Sequence, residues 1–340
     1  MTLEPTAQKK ASLSKQEARD YEGLFTRWAD FYERAHRAPT LIRGSDVPYI
    51  VSRMGASNFY LIPHMEDTPL MQWVVFVRYM KDHPNGRHRH QGGIALFGVE
   101  GRGYSIVNGR RYDWGRGDVV FLPLVPGGLD HQHFPSVPGE PATFMGIIYE
   151  PLIVAVGAEM TQLEPQDLPE ADLDPEATTA GTSSGPISIE PTLDGLIALR
   201  RREAADLNLP IIIRGDELEV DQSGFGDLRW YLHPGRPGFA GTSPSLVFSV
   251  ALKKGQTTEE LSSPGNGFMY VLDGTPTIGV DDEVHRCVPG DMVCLPARRN
   301  GVRTWIDAPQ KDVNVLVAMA NLSGLGGVAL GADFALNPRS

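Results

Sequence analysis

The sequence predicts a mainly β protein: two small antiparallel β barrels or sandwiches made from one duplicated unit. The first observation is a repeat. Ile42-Arg43-Gly44 recurs as Ile213-Arg214-Gly215, and Phe59-Tyr60-Leu61-Ile62-Pro63 as Trp230-Tyr231-Leu232-His233-Pro234, both 171 positions on. Val75-Phe76 recurs as Val247-Phe248 after 172 positions. Glu100-Gly101, Gly117-Asp118 and Pro123 recur as Asp273-Gly274, Gly290-Asp291 and Pro296 after 173. Matches in order with so small a drift mark two copies of one fold. The second observation is texture. Past residue 48 the apolar runs are short and punctuated by Pro84-Asn85-Gly86, Asn108-Gly109 and Gly115-Arg116-Gly117, as short strands joined by tight turns are. The third is composition: 37 glycines and 27 prolines in 340 residues favour turns over helices, and the length suits two units.

The elements follow in chain order. Residues 1–47 form an N-terminal helical arm, with a helix over 14–37. Ser14 and Glu17 have capping-box spacing, and Pro39 stops the helix. Tyr21, Leu24, Phe25, Trp28, Tyr32 and Ala35 share one face, which the periodicity predicts to be buried. The first barrel spans 48–160, with strands near 58–63, 71–80, 94–100, 103–107, 118–122 and 143–149 and a hairpin at Asn108-Gly109. Residues 161–190 read as an acidic linker: Glu164, Asp167, Glu170, Asp172, Asp174 and Glu176 with no basic residue, then a Thr/Ser/Gly stretch. A helix over about 192–206 opens the second unit, 191–325, and 326–340 form a tail.

Charge and composition exclude several classes. Lys plus Arg total 31 against 42 Asp plus Glu, a net charge of −11. An acidic chain without a basic stripe is a poor ligand for nucleic acid or anionic lipid. No apolar run reaches the roughly 18 residues a membrane helix needs, and the first twenty residues lack the apolar core of a secretory signal. A cytoplasmic protein with no membrane or nucleic-acid partner is expected. Cys287 and Cys294 flank Gly290-Asp291 and read as small buried residues of a reduced protein.

The histidines carry the chemistry. Five of nine lie between 83 and 133. His88 and His90 are spaced so that on a strand both imidazoles project from one face. His131 and His133 repeat that spacing about forty residues later, behind Asp130. One such pair on a strand is commonly surface or core; two at barrel spacing point to a metal. Three imidazoles from two neighbouring strands make a facial triad with open positions, suited to Fe, Cu, Zn or Ni more than to Mg or Ca. His131 is preferred to His133 as the third ligand. The remaining histidine then lines the site as an acid, base or hydrogen-bonding group.

The stretch Gly86 to Gly101 (GRHRHQGGIALFGVEG), the Gly117-Asp118 turn and Asp130-His131-Gln132-His133 together resemble the two motifs of the cupin superfamily. Within it they are similar to the gentisate 1,2-dioxygenase group, which includes salicylate and 1-hydroxy-2-naphthoate dioxygenases. The resemblance implies a bicupin: two jelly-roll (double-stranded β-helix) barrels, each preceded by a helical segment. It implies Fe(II) on His88, His90 and His131, with Zn, Ni, Mn or Cu as alternatives. It puts His133 beside substrate and O2, and Trp73 on the pocket wall. The activity implied is extradiol-type ring cleavage of a small hydroxylated aromatic (gentisate-, salicylate- or hydroquinone-like), inserting both atoms of O2. A homo-oligomer, dimer or tetramer, is implied as well.

The departures shape the pocket. Ile94 stands where cupins usually carry a glutamate ligand, consistent with a three-histidine site. Leu96 replaces the family's arginine, Val77 a glutamine and Met145 an aspartate. The expected substrate wall of Trp73, Val77, Leu96, Met145 and Arg78 is therefore unusually apolar. A buried carboxylate needs a cationic partner. Either Arg53, Arg78 or Arg89 reaches in, or the substrate has no carboxylate; by strand parity Arg78 faces away from Trp73. In the second unit His88, His90 and His131 correspond to Leu261, Ser263 and Thr304, so that barrel is expected to be metal-free. Two other classes stay open: an O2-independent metal enzyme (isomerase, hydrolase, lyase or decarboxylase) on the same histidines, and a non-enzymatic ligand binder. Metal identity and O2 dependence separate them.

Overall fold

The computed structural model describes residues 21–52, 54–63, 65, 67–81, 84–124, 127–155, 157, 161–162, 192–194, 211–233, 245–298, 300–321 and 335–339. Arg53, most of the expected acidic linker, and all but the start of the helix expected over about 192–206 lie outside them. The chain opens with α1 (Tyr21–Arg37) and β1 (Leu41–Ile42). The first barrel follows with β2 (Tyr49–Ser52), β3 (Gly55–Leu61), β4 (Trp73–Met80), β5 (His88–His90), β6 (Ile94–Val107), β7 (Arg110–Gly115), β8 (Val119–Leu122), β9 (Leu129–Pro135) and β10 (Ala142–Tyr149). The short α2 (Glu150–Ala155) and β11 (Thr161–Gln162) close it. The second half holds β12 (Ile212–Ile213), β13 (Asp221–Ser223), β14 (Gly226–Leu232), β15 (Ser245–Leu252), β16 (Glu260–Ser263), β17 (Gly267–Asp273), β18 (Thr277–Val280), β19 (Glu283–Arg286), β20 (Met292–Leu295), β21 (Val302–Asp307), β22 (Val313–Ala320) and β23 (Ala335–Asn337).

Each barrel is two antiparallel sheets face to face. In the first, one sheet runs β2-β3-β4-β10-β6-β8 and the other β11-β5-β9-β6-β7. The 14-residue β6 belongs to both: Ile94 to Phe97 pair with β8, while Gly103 to Val107 pair with β7 and β9. The sequence divides this strand in two, at 94–100 and 103–107, and the structure keeps it continuous. In the second barrel the division is real. Pro276, which corresponds to Gly103, lies between β17 and β18 and has no N–H to give a ladder. The sheets there are β13-β14-β15-β22-β17-β20 and β23-β16-β21-β18-β19. The β6–β7 hairpin turns at Asn108 and Gly109, both with positive φ (48° and 80°), as a primed two-residue turn requires.

The halves exchange strands. β1, from the arm of the first half, pairs with β20 of the second barrel, Leu41 opposite Val293. Its repeat, β12, pairs with β8 of the first barrel, Ile212 opposite Val120. The residues after each strand lock it. Arg43 Nη1 and Gly44 N donate to the Asp291 carboxylate at 2.7 and 3.0 Å. Arg214 Nη1 and Gly215 N donate to Asp118 at 2.7 and 3.1 Å. The repeated Ile-Arg-Gly and Gly-Asp motifs are thus two sides of one reciprocal clasp. The glycines are required by close approach: a Cβ on Gly44 would stand 2.4 Å from Gly290 O, and one on Gly215 2.0 Å from Gly117 O.

Three apolar clusters hold the molecule. One lies between the barrels, where Trp73, Val75, Val77, Phe97, Met145 and Ile147 meet Phe268, Tyr270 and Leu316. The others fill the two barrel interiors, with Met80, Leu96, Trp114, Val120 and Phe144 in the first and Val250, Ile278, Cys287 and Ile306 in the second. One expectation is corrected here. The apolar stripe of α1 is not buried among the described residues: Leu24, Phe25, Trp28 and Tyr32 are exposed and only Ala35 is covered, because periodicity reports a stripe but not what packs on it. Within 326–340, β23 pairs with β16.

Candidate metal centre

Strand alternation sets the site. On β5, His88 and His90 are buried while Arg89 between them is exposed. On β9, His131 and His133 turn inward, and Asp130 beside them takes Arg87 at 2.9 Å and lies within 3.9 Å of Arg89. β5 and β9 are hydrogen-bonded neighbours with His88 directly opposite His131. The three rings meet edge to face: His88 and His131 centroids are 4.2 Å apart, His90 and His131 4.6 Å. One nitrogen from each of His88, His90 and His131 lies within 4.8 Å of the others.

The donor set fits a transition metal. Burial pulls the pKa of His88 below the usual histidine range, and that of His90 down to about 3. Burial, with the neighbouring rings, pulls His131 well below that range too. All three rings are therefore neutral near pH 7 and offer lone pairs. The Nδ1 atoms of His88 and His131 lie 2.9 Å from the carbonyls of Gly86 and Leu129. A carbonyl only accepts, so both rings carry their proton on Nδ1 and present Nε2. His90 differs: its Nδ1 accepts from Gly92 N at 3.0 Å, so the neutral ring carries its proton on Nε2 in this arrangement.

His133, 2% exposed, adjoins the cluster, its ring centroid 5.4 Å from that of His131. Its Nδ1 is 2.7 Å from Ser105 Oγ, which in turn accepts from Trp114 Nε1 at 3.1 Å. The Phe144 ring packs on it at 5.0 Å. Nothing in the sequence singled out Ser105 or Trp114, because one serine and one tryptophan on a hairpin match no motif.

Of the residues expected to line the pocket, Leu96 and Arg78 face this interior. Trp73, Val77 and Met145 do not. They lie on the opposite faces of β4 and β10, in the core between the barrels. Trp73 Nε1 donates to Asn266 across that boundary at 3.0 Å. A slip of one residue along a strand moves a side chain to the other face. The interior faces instead carry Phe76, Arg78 and Met80 from β4 and Phe144 from β10.

Arg78 is the only cation of the three candidates placed here. Arg53 lies outside the described residues, and Arg89 is exposed. Arg78 is 4% exposed and packs over the Phe76 ring at 5.2 Å. Its Nη1 donates to Met54 O, and its Nε has no hydrogen-bond partner. No carboxylate among the described residues pairs with it, and burial lowers its pKa to about 10. It is close enough to His88 and His133 for its charge to lower their basicity.

The second barrel repeats this frame without the chemistry. Leu261 lies opposite Thr304, as His88 lies opposite His131. Ser263 follows two residues on, and Val250 fills the place of Arg78.

Among solved structures, a variant of salicylate 1,2-dioxygenase from Pseudoaminobacter salicylatoxidans in complex with gentisate is 14% identical, with a TM-score of 0.60 over 98% of this chain and 98% of that one. A salicylate 1,2-dioxygenase from Pseudaminobacter salicylatoxidans is 15% identical, with a TM-score of 0.59 over 94% of this chain and 99% of that one. A variant of the Bacillus subtilis oxalate decarboxylase is 15% identical, with a TM-score of 0.57 over 83% and 77%. At these identities the likeness is one of fold. No family model and no curated protein matches the sequence.

Proposed function

We propose, from the premise that the chain has the bicupin fold, that its first barrel is an Fe(II)-dependent dioxygenase cleaving the ring of a small hydroxylated aromatic acid with O2. The observation that carries this reading is charge. Three neutral imidazoles would leave a divalent ion at about +2, and Arg78 adds a buried positive charge nearby with no carboxylate among the described residues to balance it. A dry site with that surplus favours an anionic ligand. An aromatic that offers an oxygen to the metal and a carboxylate to Arg78 supplies both charges.

His88, His90 and His131 would hold the ion, and His133 would hydrogen-bond or exchange a proton with bound oxygen. When bound, the ion supplies open coordination positions where a substrate oxygen and O2 meet, with the charge to stabilise the reacting electrons. Arg78 would fix the ring by its carboxylate, as charge-assisted pairs do. Leu96 and Phe144 would exclude water around it. The fold likeness to salicylate 1,2-dioxygenase supports this reading, and the likeness to oxalate decarboxylase keeps a metal-dependent decarboxylase as the competing outcome.

The test is O2 uptake. Protein loaded anaerobically with Fe(II) is challenged with gentisate, salicylate, 1-hydroxy-2-naphthoate, hydroquinones, catechols and β-diketones, beside a His88→Ala control. Uptake with a carboxylated aromatic, absent in the control, is the expected result. Arg78→Met should then lower kcat/KM by about a hundredfold, the worth of one charge-assisted pair. Stoichiometric metal with no uptake for any compound would overturn the dioxygenase in favour of an O2-independent enzyme.

A further inference from the structure

The second barrel is an internal control for the first. Strand register fixes the matching positions. Ser105 lies opposite His133 as Ile278 lies opposite Ile306. Trp114 lies in β7 nine residues after Ser105, and Cys287 follows Ile278 by the same spacing. Where the metal histidines are missing, the places of Ser105, Trp114 and His133 are therefore taken by Ile278, Cys287 and Ile306, all at most 2% exposed. The fold accepts plain apolar packing there. The polar trio accompanies the histidine cluster and is not demanded by the barrel.

The hydrogens in the trio can be assigned by elimination. An indole N–H only donates, so Ser105 Oγ accepts from Trp114. Ser105 is 0% exposed, and a buried hydroxyl proton needs an acceptor. Its other contact is His133 Nδ1, at 2.7 Å. Nδ1 of the neutral ring is then the acceptor, and the ring proton sits on Nε2. The residue is also held: Phe144 meets its ring edge to face at 5.0 Å, and Asn85 Oδ1 accepts from its backbone N–H at 2.5 Å.

We propose that Ser105 and Trp114 are positioning residues that lock His133 as its Nε2–H tautomer, so that it meets the site as a hydrogen-bond donor to an anionic oxygen. What His133 acts on rests on the metal-centre reading above; the tautomer does not. A donor fixed before ligand arrives stabilises charge on a bound oxygen without reorganisation. An acceptor at the same place would repel it.

The experiment is long-range 1H–15N correlation NMR on full-length protein with 15N-labelled histidine, metal-free and with Zn(II) as a diamagnetic ion. His133 is identified by the signal lost in His133→Gln. In the unmutated protein its Nδ1 should resonate in the unprotonated range and its Nε2 in the protonated range. Ser105→Ala should move both toward a tautomer mixture while Zn(II) stoichiometry stays unchanged. Ser105→Thr, which keeps the hydroxyl, should restore the single tautomer. Trp114→Phe should give a partial mixture, and it carries the test if Ser105→Ala does not fold. In turnover, Ser105→Ala should lower kcat about tenfold and leave KM within about twofold. A protonated Nδ1 in the unmutated protein overturns the proposal, as does a Ser105→Ala spectrum identical to it. A chain that binds Zn(II) but oxidises nothing would sink the dioxygenase reading and leave the tautomer result to stand or fall alone.

Discussion

Arg78 costs stability where it stands. A guanidinium 4% exposed, with an unpartnered Nε and no acid paired with it among the described residues, is a buried charge of the kind that apolar replacement relieves. Arg78→Met should therefore raise the Tm of the ligand-free chain by about 2–4 °C, measured by scanning calorimetry, while weakening turnover as above. A fall in Tm would mean that Arg78 is held by partners that stabilise it. The histidines give a second prediction. Unfolded, they take a proton near pH 6.5; folded, burial holds them neutral, His90 down to about 3. Their contribution is complete above about pH 6.5 and is lost as pH falls through that window, by up to about 1.4 kcal/mol per pH unit for each ring. Urea midpoints of metal-free protein should drop between pH 7 and pH 5, and added Zn(II) should raise the midpoint more at pH 7. At this scale the sequence was partly legible. Period-two spacing made His88, His90, His131 and His133 readable as inward-facing pairs. Parity also set Arg78 apart from Trp73, correctly; it is Trp73 that looks out of the barrel. Ser105 could not be read, because its meaning comes from Trp114 and His133, which strand pairing brings to it.

Strands, helix and clasp were legible to different degrees. The Asn108-Gly109 hairpin followed from its turn chemistry, while the short strand carrying His88 and His90 was absent from the expected strands. The two-residue strands β1 and β12 were visible only as repeated text. Ile42-Arg43-Gly44 and its copy announced a duplication, but not that each copy would pair with the other half. So short a strand has no periodicity of its own; its partner, and the carboxylate beyond, define it. Asp291 shows how much rests there. It is 2% exposed and accepts from Arg43, Gly44 N and Val288 N. Asp291→Ala should cost about 3 kcal/mol by leaving these donors unpaired, read as a lower urea midpoint with an unchanged slope. Gly44→Ala, which would bring a Cβ onto Gly290 O, should destabilise the same contact with no change of charge. If both variants unfold like the unmutated chain, the clasp contributes nothing to stability.

At the scale of the whole molecule, the two halves share a core. A cluster of buried side chains from both halves lies between the barrels, with Trp73 edge-on to Phe268 at 5.6 Å and Phe97 edge-on to Tyr231 at 5.5 Å. The second barrel, where Leu261, Ser263 and Thr304 stand in the places of the histidines, therefore supports the first. A fragment of residues 1–190 lacks β12 and half of that shared core. It should fail to bind Zn(II) stoichiometrically, and co-expression with residues 191–340 should restore binding. A 1–190 fragment that binds Zn(II) as tightly as the full chain would show that the second barrel is dispensable.

The strand exchange also sets an order in time. During synthesis β8 leaves the ribosome 90 residues before β12, the strand that covers its edge. At about 5–20 residues per second the nascent first barrel waits roughly 5–20 s. Through that interval Val119, Val120, Phe121 and Leu122 form an open apolar strand edge of the kind that recruits other chains. A pause in translation between the two halves, or a premature stop there, should therefore yield aggregated protein where a split within two independent domains would yield a soluble one.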